Sequence, residues 1–168
     1  MNYFNTALTG LVLLAGVTVF GQNQTEQYKM KRSDGKENID AFPKAKEGYK
    51  QFYIQIPKDK KGKDLKFDFF VGYDAMVDCN SHSLTGNVKV KNLEGSRYKY
   101  YEVASDGSML TTNRGCGGQA ATEEFVYFQP EIKTYSSKYP LVLYVPKSME
   151  VRYRISGSDA PMEKADQK

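Results

Sequence analysis

One histidine and two cysteines carry most of the reactive chemistry this sequence could offer. His82 could act as the base of a Ser-His-Asp relay. Yet no GxSxG, HExxH, CxxC or P-loop pattern supplies a nucleophile, a metal cage or a phosphate cradle. Asp68 and Asp78 have no second acid at a readable spacing and read as solvent-facing strand residues. Neither catalysis nor a metal or cofactor is therefore expected. That leaves Cys79 and Cys116, whose meaning depends on where the chain resides.

The start of the chain answers that question. Residues 1–21 carry no charged side chain, and Ala7 to Phe20 is apolar apart from Thr and Gly. Small residues at Val19 and Gly21 suit a cut after Gly21, so residues 1–21 read as a secretory signal peptide. The competing reading, a membrane anchor, needs a run of roughly 20 apolar residues, and this one is shorter. A periplasmic protein is expected, with no membrane contact after cleavage. In an oxidising compartment the two cysteines read as one disulfide, Cys79–Cys116.

The remaining chain has the size of one domain. Its net charge of +4 comes from basic residues mixed with acidic ones, which is no nucleic-acid footprint. Residues 22–40 are polar and read as a flexible N-terminal arm, residues 156–168 as a similar C-terminal tail. Between them apolar residues recur with period two. Phe52, Ile54 and Ile56 alternate with polar neighbours, as do Leu65 to Val71, Val88 to Lys91 and Val151 to Ile155. Tyr98 to Val103, Phe125 to Phe128 and Leu141 to Val145 are short aromatic or β-branched runs. About seven strands separated by turn residues and long exposed loops make an all-β, antiparallel sandwich or barrel. The Lys-rich run from Lys58 to Asp64 is interleaved with Asp and reads as a solvated hairpin loop.

After Val103 the alternation stops. Small polar residues take over, and the segment ends at Cys116, where Gly117 and Gly118 follow. A long loop pinned at its end by a disulfide stays exposed yet ordered, and can lie in a protease cleft as an added strand. Pre-ordering lowers the entropy lost on binding. On a loop-entropy argument the crosslink adds about 4 kcal/mol of stability.

A family resemblance sharpens this reading. Val77-Asp78-Cys79-Asn80, His82, Leu84, Gly86, Leu93-Glu94-Gly95, Tyr98 and Tyr100-Tyr101 resemble the ecotins, exported bacterial inhibitors of trypsin-fold serine proteases. The likeness extends to Phe42 to Gly48, Phe125-Val126, Ser137-Lys138, Pro140, Tyr144, Pro146 and Val151 to Arg154, so it spans roughly 41–155. It implies an inhibitory bond three residues before the second cysteine, with Asn113 as P1, Arg114 as P1′ and Thr111, Thr112 and Gly115 beside them. It implies that Asn80, Ser81, His82 and Ser83 support that loop, with His82 packed beside Cys79. A secondary protease contact is implied at Ser96, Arg97, Tyr98 and Lys99 and around Pro130 to Tyr135, with Lys133 and Tyr135 as its candidates. A homodimer is implied too, exchanging Val151 to Ile155 and the tail.

Some positions depart from the family pattern. Asn113 stands where Met is common, and Ser96 and Ser156 stand where Trp is usual. The connection from Phe125 to Pro140 is also about three residues short of the family's. A one-residue shift would make Arg114 the P1 residue. The alternative function is a non-inhibitory exported sandwich that binds a surface or matrix protein.

Overall fold

The computed structural model describes residues 39–57, 61, 65–132 and 135–168. The expected signal peptide, most of the expected N-terminal arm, most of the Lys58–Asp64 run and Lys133 lie outside the described residues.

Alternation reads correctly into strands. β1 (Tyr49–Ile54), β2 (Phe67–Val77), β4 (Asn87–Asn92), β5 (Lys99–Ala104), β7 (Thr122–Phe128), β8 (Leu141–Pro146) and β9 (Glu150–Ile155) are the seven expected elements. Four shorter ones join them: β3 (His82–Leu84), β6 (Met109–Thr111), β10 (Glu163–Lys164) and β11 (Asp166–Gln167). One sheet runs in the order β11-β1-β8-β5-β4, a second β10-β9-β2-β7, and β3 and β6 form a separate ribbon. Every pairing is antiparallel except β5 with β8, which run parallel.

The two large sheets form a sandwich around one core. Phe52 and Ile54 of β1, Phe69 and Val71 of β2, Val103 of β5, Val126 of β7, Leu143 of β8 and Val151 of β9 belong to the same buried cluster. β8 is apolar throughout because both its faces are covered. Leu141, Leu143 and Val145 enter the main core, while Val142 and Tyr144 pack with Phe42 in a second cluster.

Ile39 and Asp40, the end of the expected arm, sit in a short 3-10 turn with Ile39 buried. The tail is not loose either. Its β10 pairs with β9 of the second sheet and its β11 with β1 of the first, so it straps the edges of both. Ala165 between them is buried, and its N–H donates to the Val151 carbonyl at 2.9 Å. An ion pair joins Lys168 to Asp40. Two-residue strands have no readable period, which is why the sequence shows only a charged tail here.

One glycine is dictated by close approach. A Cβ at Gly72, in the middle of β2, would stand 1.9 Å from the Val126 carbonyl oxygen of β7. Gly72→Ala is therefore expected to destabilise the fold by about 2 kcal/mol or more, read as a lower urea midpoint.

Candidate functional site

Chain geometry brings the two loops named from the sequence into one unit. β2 ends at Val77, and the chain turns through Cys79 and Asn80 into β3. β3 pairs with β6 in the register His82 with Thr111, Ser83 with Leu110 and Leu84 with Met109. The ribbon continues one step, since the Thr112 N–H donates to the Ser81 carbonyl at 3.1 Å. Beyond it the Cys79–Cys116 disulfide closes the unit, with Cα atoms 5.6 Å apart. Residues 112–115 thus bridge from a strand pairing to a covalent bond, and all four are exposed.

Asn80 fills the space under that bridge. Its Oδ1 accepts from the Arg114 N–H at 2.7 Å and from the Thr112 hydroxyl at 3.0 Å. Its Nδ2 donates to the Arg114 carbonyl at 3.2 Å and to Asp78 Oδ2 at 2.9 Å. One carboxamide therefore holds the peptide groups on both sides of Arg114. The guanidinium of Arg114 turns back as well, donating to the Cys79 carbonyl at 3.1 Å. Thr112 is turned inward, its hydroxyl also accepting from the Ser81 N–H at 3.0 Å. Asn113 differs from its neighbours. Its side chain is exposed and makes no hydrogen bond among the described residues.

Asp78 supports Asn80 in turn. Its Oδ1 accepts from the Asn80 N–H at 2.9 Å and lies 2.8 Å from His82 Nε2. The Asn80 N–H and carboxamide, then His82, hold the Asp78 carboxyl below its ordinary value. The other imidazole nitrogen, Nδ1, lies 3.1 Å from the Thr111 hydroxyl and 3.2 Å from Met109 Sδ. A neutral ring donating to Asp78 accepts from Thr111. The His82 side chain is only 9% exposed and Thr111 is its own cross-strand partner, so the ring acts as a strut between β3 and β6.

A disulfide-pinned loop braced by a Cys-Asn-x-His segment is what the resemblance anticipates, and comparison of whole sequences decides the matter. A profile of the Ecotin family matches residues 38–157. The chain belongs to the ecotin family. It is 32% identical over 159 residues to the ecotin of Pseudomonas fluorescens strain Pf-5, covering 94% of this chain and 98% of that one. It is 26% identical over 171 residues to the ecotin of Serratia proteamaculans strain 568, covering 100% of both. Family membership carries the function class, serine protease inhibition rather than enzyme catalysis.

The ecotin candidates for a secondary contact lie elsewhere on the surface. Arg97, Tyr98, Lys99 and Tyr135 line one cavity together with Ser136, Tyr139 and Leu141. Ser96 stands beside it in the turn after β4, its hydroxyl accepting from the Tyr98 N–H at 3.0 Å. Sequence reasoning missed Tyr139, which lies beyond the stretch singled out. It also missed Asp78 and Leu110 at the pinned loop. Asp78 and His82 are four apart, the spacing that could have flagged their pairing. Leu110 is 58% exposed although it sits in β6, because Met109 and Thr111 take the side of the strand that meets His82 and Leu110 takes the other.

Proposed function

We propose that this chain inhibits trypsin-fold serine proteases by presenting residues 110–115 to the protease cleft as a substrate would be presented. Asn113 enters the S1 pocket as P1, Arg114 is P1′, and Leu110 offers an apolar P4 contact. One observation carries the reading: Asn80 holds the Arg114 N–H and carbonyl while the neighbouring Asn113 side chain projects free.

The chemistry follows from that clamp. Attack of the protease serine on the Asn113 carbonyl breaks the bond to the Arg114 nitrogen, which leaves as an amine after taking a proton. In an ordinary substrate this amine diffuses away. Here Asn80, the Cys79 carbonyl and the disulfide two residues on keep it beside the acyl carbon. At such an effective concentration the amine attacks the ester and remakes the bond faster than water cleaves it. The complex persists, and neither loop nor enzyme is consumed. Titration against trypsin-, chymotrypsin- and elastase-like proteases tests the reading. At least one of them is expected to lose activity in proportion to inhibitor added, with the inhibitor recovered intact. A protein that binds none of them and serves only as a surface ligand fails this test.

Export through a cleaved signal peptide to the periplasm belongs to the same reading, as does a homodimer. In the dimer the tail's β10 and β11 would make with a partner the pairings they make here with β9 and β1 of their own chain. β9 itself belongs to the core, with Val151 fully buried, so the exchanging piece is the tail beyond Ser158 rather than β9. Two reactive loops in one particle raise apparent affinity by avidity. Sedimentation at micromolar concentration is expected to give a dimer for the full chain. Truncation after Ser158 is expected to give a folded, more weakly inhibiting monomer. A full-length monomer contradicts the exchange.

A further inference from the structure

A carboxamide has two ends of nearly equal size and opposite duty: its oxygen accepts and its nitrogen donates. The clamp on the loop depends on which end of Asn80 faces which group. Oδ1 meets two donors, the Arg114 N–H at 2.7 Å and the Thr112 hydroxyl at 3.0 Å. That hydroxyl accepts from the Ser81 N–H, so its own proton is left for Asn80. Nδ2 meets acceptors, Asp78 Oδ2 at 2.9 Å, the Arg114 carbonyl at 3.2 Å and Cys116 Sγ at 3.5 Å. Turning the group over would set donor against donor at the Arg114 N–H and oxygen against oxygen at Asp78.

Asp78 is the charged member of this set. An ionised carboxylate accepts and cannot donate, so only the Nδ2 end of Asn80 can face it. Both of its oxygens are used on this segment. Oδ1 takes the Asn80 N–H at 2.9 Å and lies 2.8 Å from His82 Nε2, while Oδ2 takes the carboxamide. These bonds hold the carboxyl below its ordinary value, which keeps it an acceptor at neutral pH. Among the described residues Asp78 makes no hydrogen bond to residues 112–115 themselves, so it reaches the loop through Asn80.

We infer that Asp78 is the positioning residue of the inhibitory loop: it fixes the direction of the Asn80 carboxamide, and thereby keeps the Arg114 nitrogen beside the acyl carbon after the cut. The inference rests on the inhibitor reading and names the residue that separates an inhibitor from a slowly cleaved substrate.

Asp78→Asn turns one oxygen into a donor and changes little else in shape. The surviving oxygen is expected to stay with the Asn80 N–H and His82, which points the new amide donor at Nδ2. Asn80 relieves that clash by turning over, and its donor end then faces the Arg114 N–H.

Two measurements test this. The first needs no protease: amide hydrogen exchange in the free protein, read by NMR. In D78N the Arg114 N–H is expected to exchange about tenfold faster, because it has lost its acceptor. The Thr112 N–H, which donates to the Ser81 carbonyl, is expected to keep its rate. Unchanged exchange at Arg114 overturns the inference. So does equal acceleration at both amides, which marks a general loosening of the ribbon.

The second is cleavage of the loop by an inhibited protease, in a cycle of variants. D78N is expected to raise kcat for cleavage at Asn113–Arg114 about tenfold. In an N80A background the same change is expected to alter kcat less than about twofold, because the group it acts through is gone. Equal effects in both backgrounds overturn the inference. Loss of the D78N effect in an H82Q background also overturns it, since Asp78 would then act through the imidazole strut. If the wild type inhibits no protease, the inhibitor reading falls instead, and exchange at Arg114 decides the role of Asp78 alone.

Discussion

Asn113→Met is expected to strengthen inhibition of chymotrypsin- and elastase-like proteases by about 2 kcal/mol, roughly thirtyfold, and Asn113→Arg to do the same for trypsin. Asparagine suits neither pocket: it brings no charge to trypsin's buried acid and exposes a carboxamide to an apolar slot. P1 is the one loop side chain that enters a closed pocket, so its replacement has the largest effect available in the complex. The rival register, with Arg114 as P1, forecasts the opposite. Arg114→Ala would then abolish trypsin inhibition while Asn113→Met changed little. Arg114 is engaged on three sides, by Asn80 at its N–H and carbonyl and by the Cys79 carbonyl at its guanidinium. To enter S1 it would have to give up the last of these, whereas Asn113 gives up nothing.

Asn80→Ala is expected to weaken inhibition by about 1.5–3 kcal/mol, and to turn the protein into a slowly cleaved substrate. The change removes five hydrogen bonds at once, one of them to Cys116 Sγ, and frees the loop between Thr112 and Cys116. Folding stability is expected to change much less, because the loop is exposed and the disulfide remains. Asn80→Asp separates the two halves of the clamp. It keeps an acceptor for the Arg114 N–H but places a second carboxylate against Asp78 and loses both donors. Like charges this close resist double ionisation, so inhibition by this variant is expected to improve as pH falls from 8 to 5. Inhibition constants for both variants, measured across pH, check the division. An Asn80→Ala protein as tight as the wild type contradicts the clamp.

Much of the fold was legible in residue alternation, and the reasons it stopped being legible are physical. In β1 and β9 the residues facing the main core, Phe52 and Ile54 or Val151 and Tyr153, repeat every second residue, whereas β2 also buries Phe70 on its other face. β8 shows as an apolar run because Phe42 covers its second face, where Val142 and Tyr144 lie. Its parallel pairing with β5 joins segments far apart in sequence, and no local pattern encodes that. β3 and β6 are three residues each and hide inside what reads as loop. At the site, the family likeness pointed to Asn80 as a supporting residue. That one carboxamide would bridge both peptide groups of Arg114 depends on how β2 delivers Cys79 to Cys116, which only the folded chain contains. The cavity at Tyr98 was legible in part: Arg97, Tyr98, Lys99 and Tyr135 were named, but Tyr139 joins them through a turn the sequence does not announce.

The central claim is that a protease reads Asn113–Arg114 as a scissile bond and cannot complete the cut. Prolonged incubation of the inhibitor with a catalytic amount of an inhibited protease at mildly acidic pH, followed by sequencing of the new N-terminus, tests it most directly. The expected result is a mixture of intact protein and a nicked form held by its disulfide, with Arg114 as the new first residue and inhibition undiminished. A new terminus at Gly115, or complete cleavage with inhibition lost, contradicts the account.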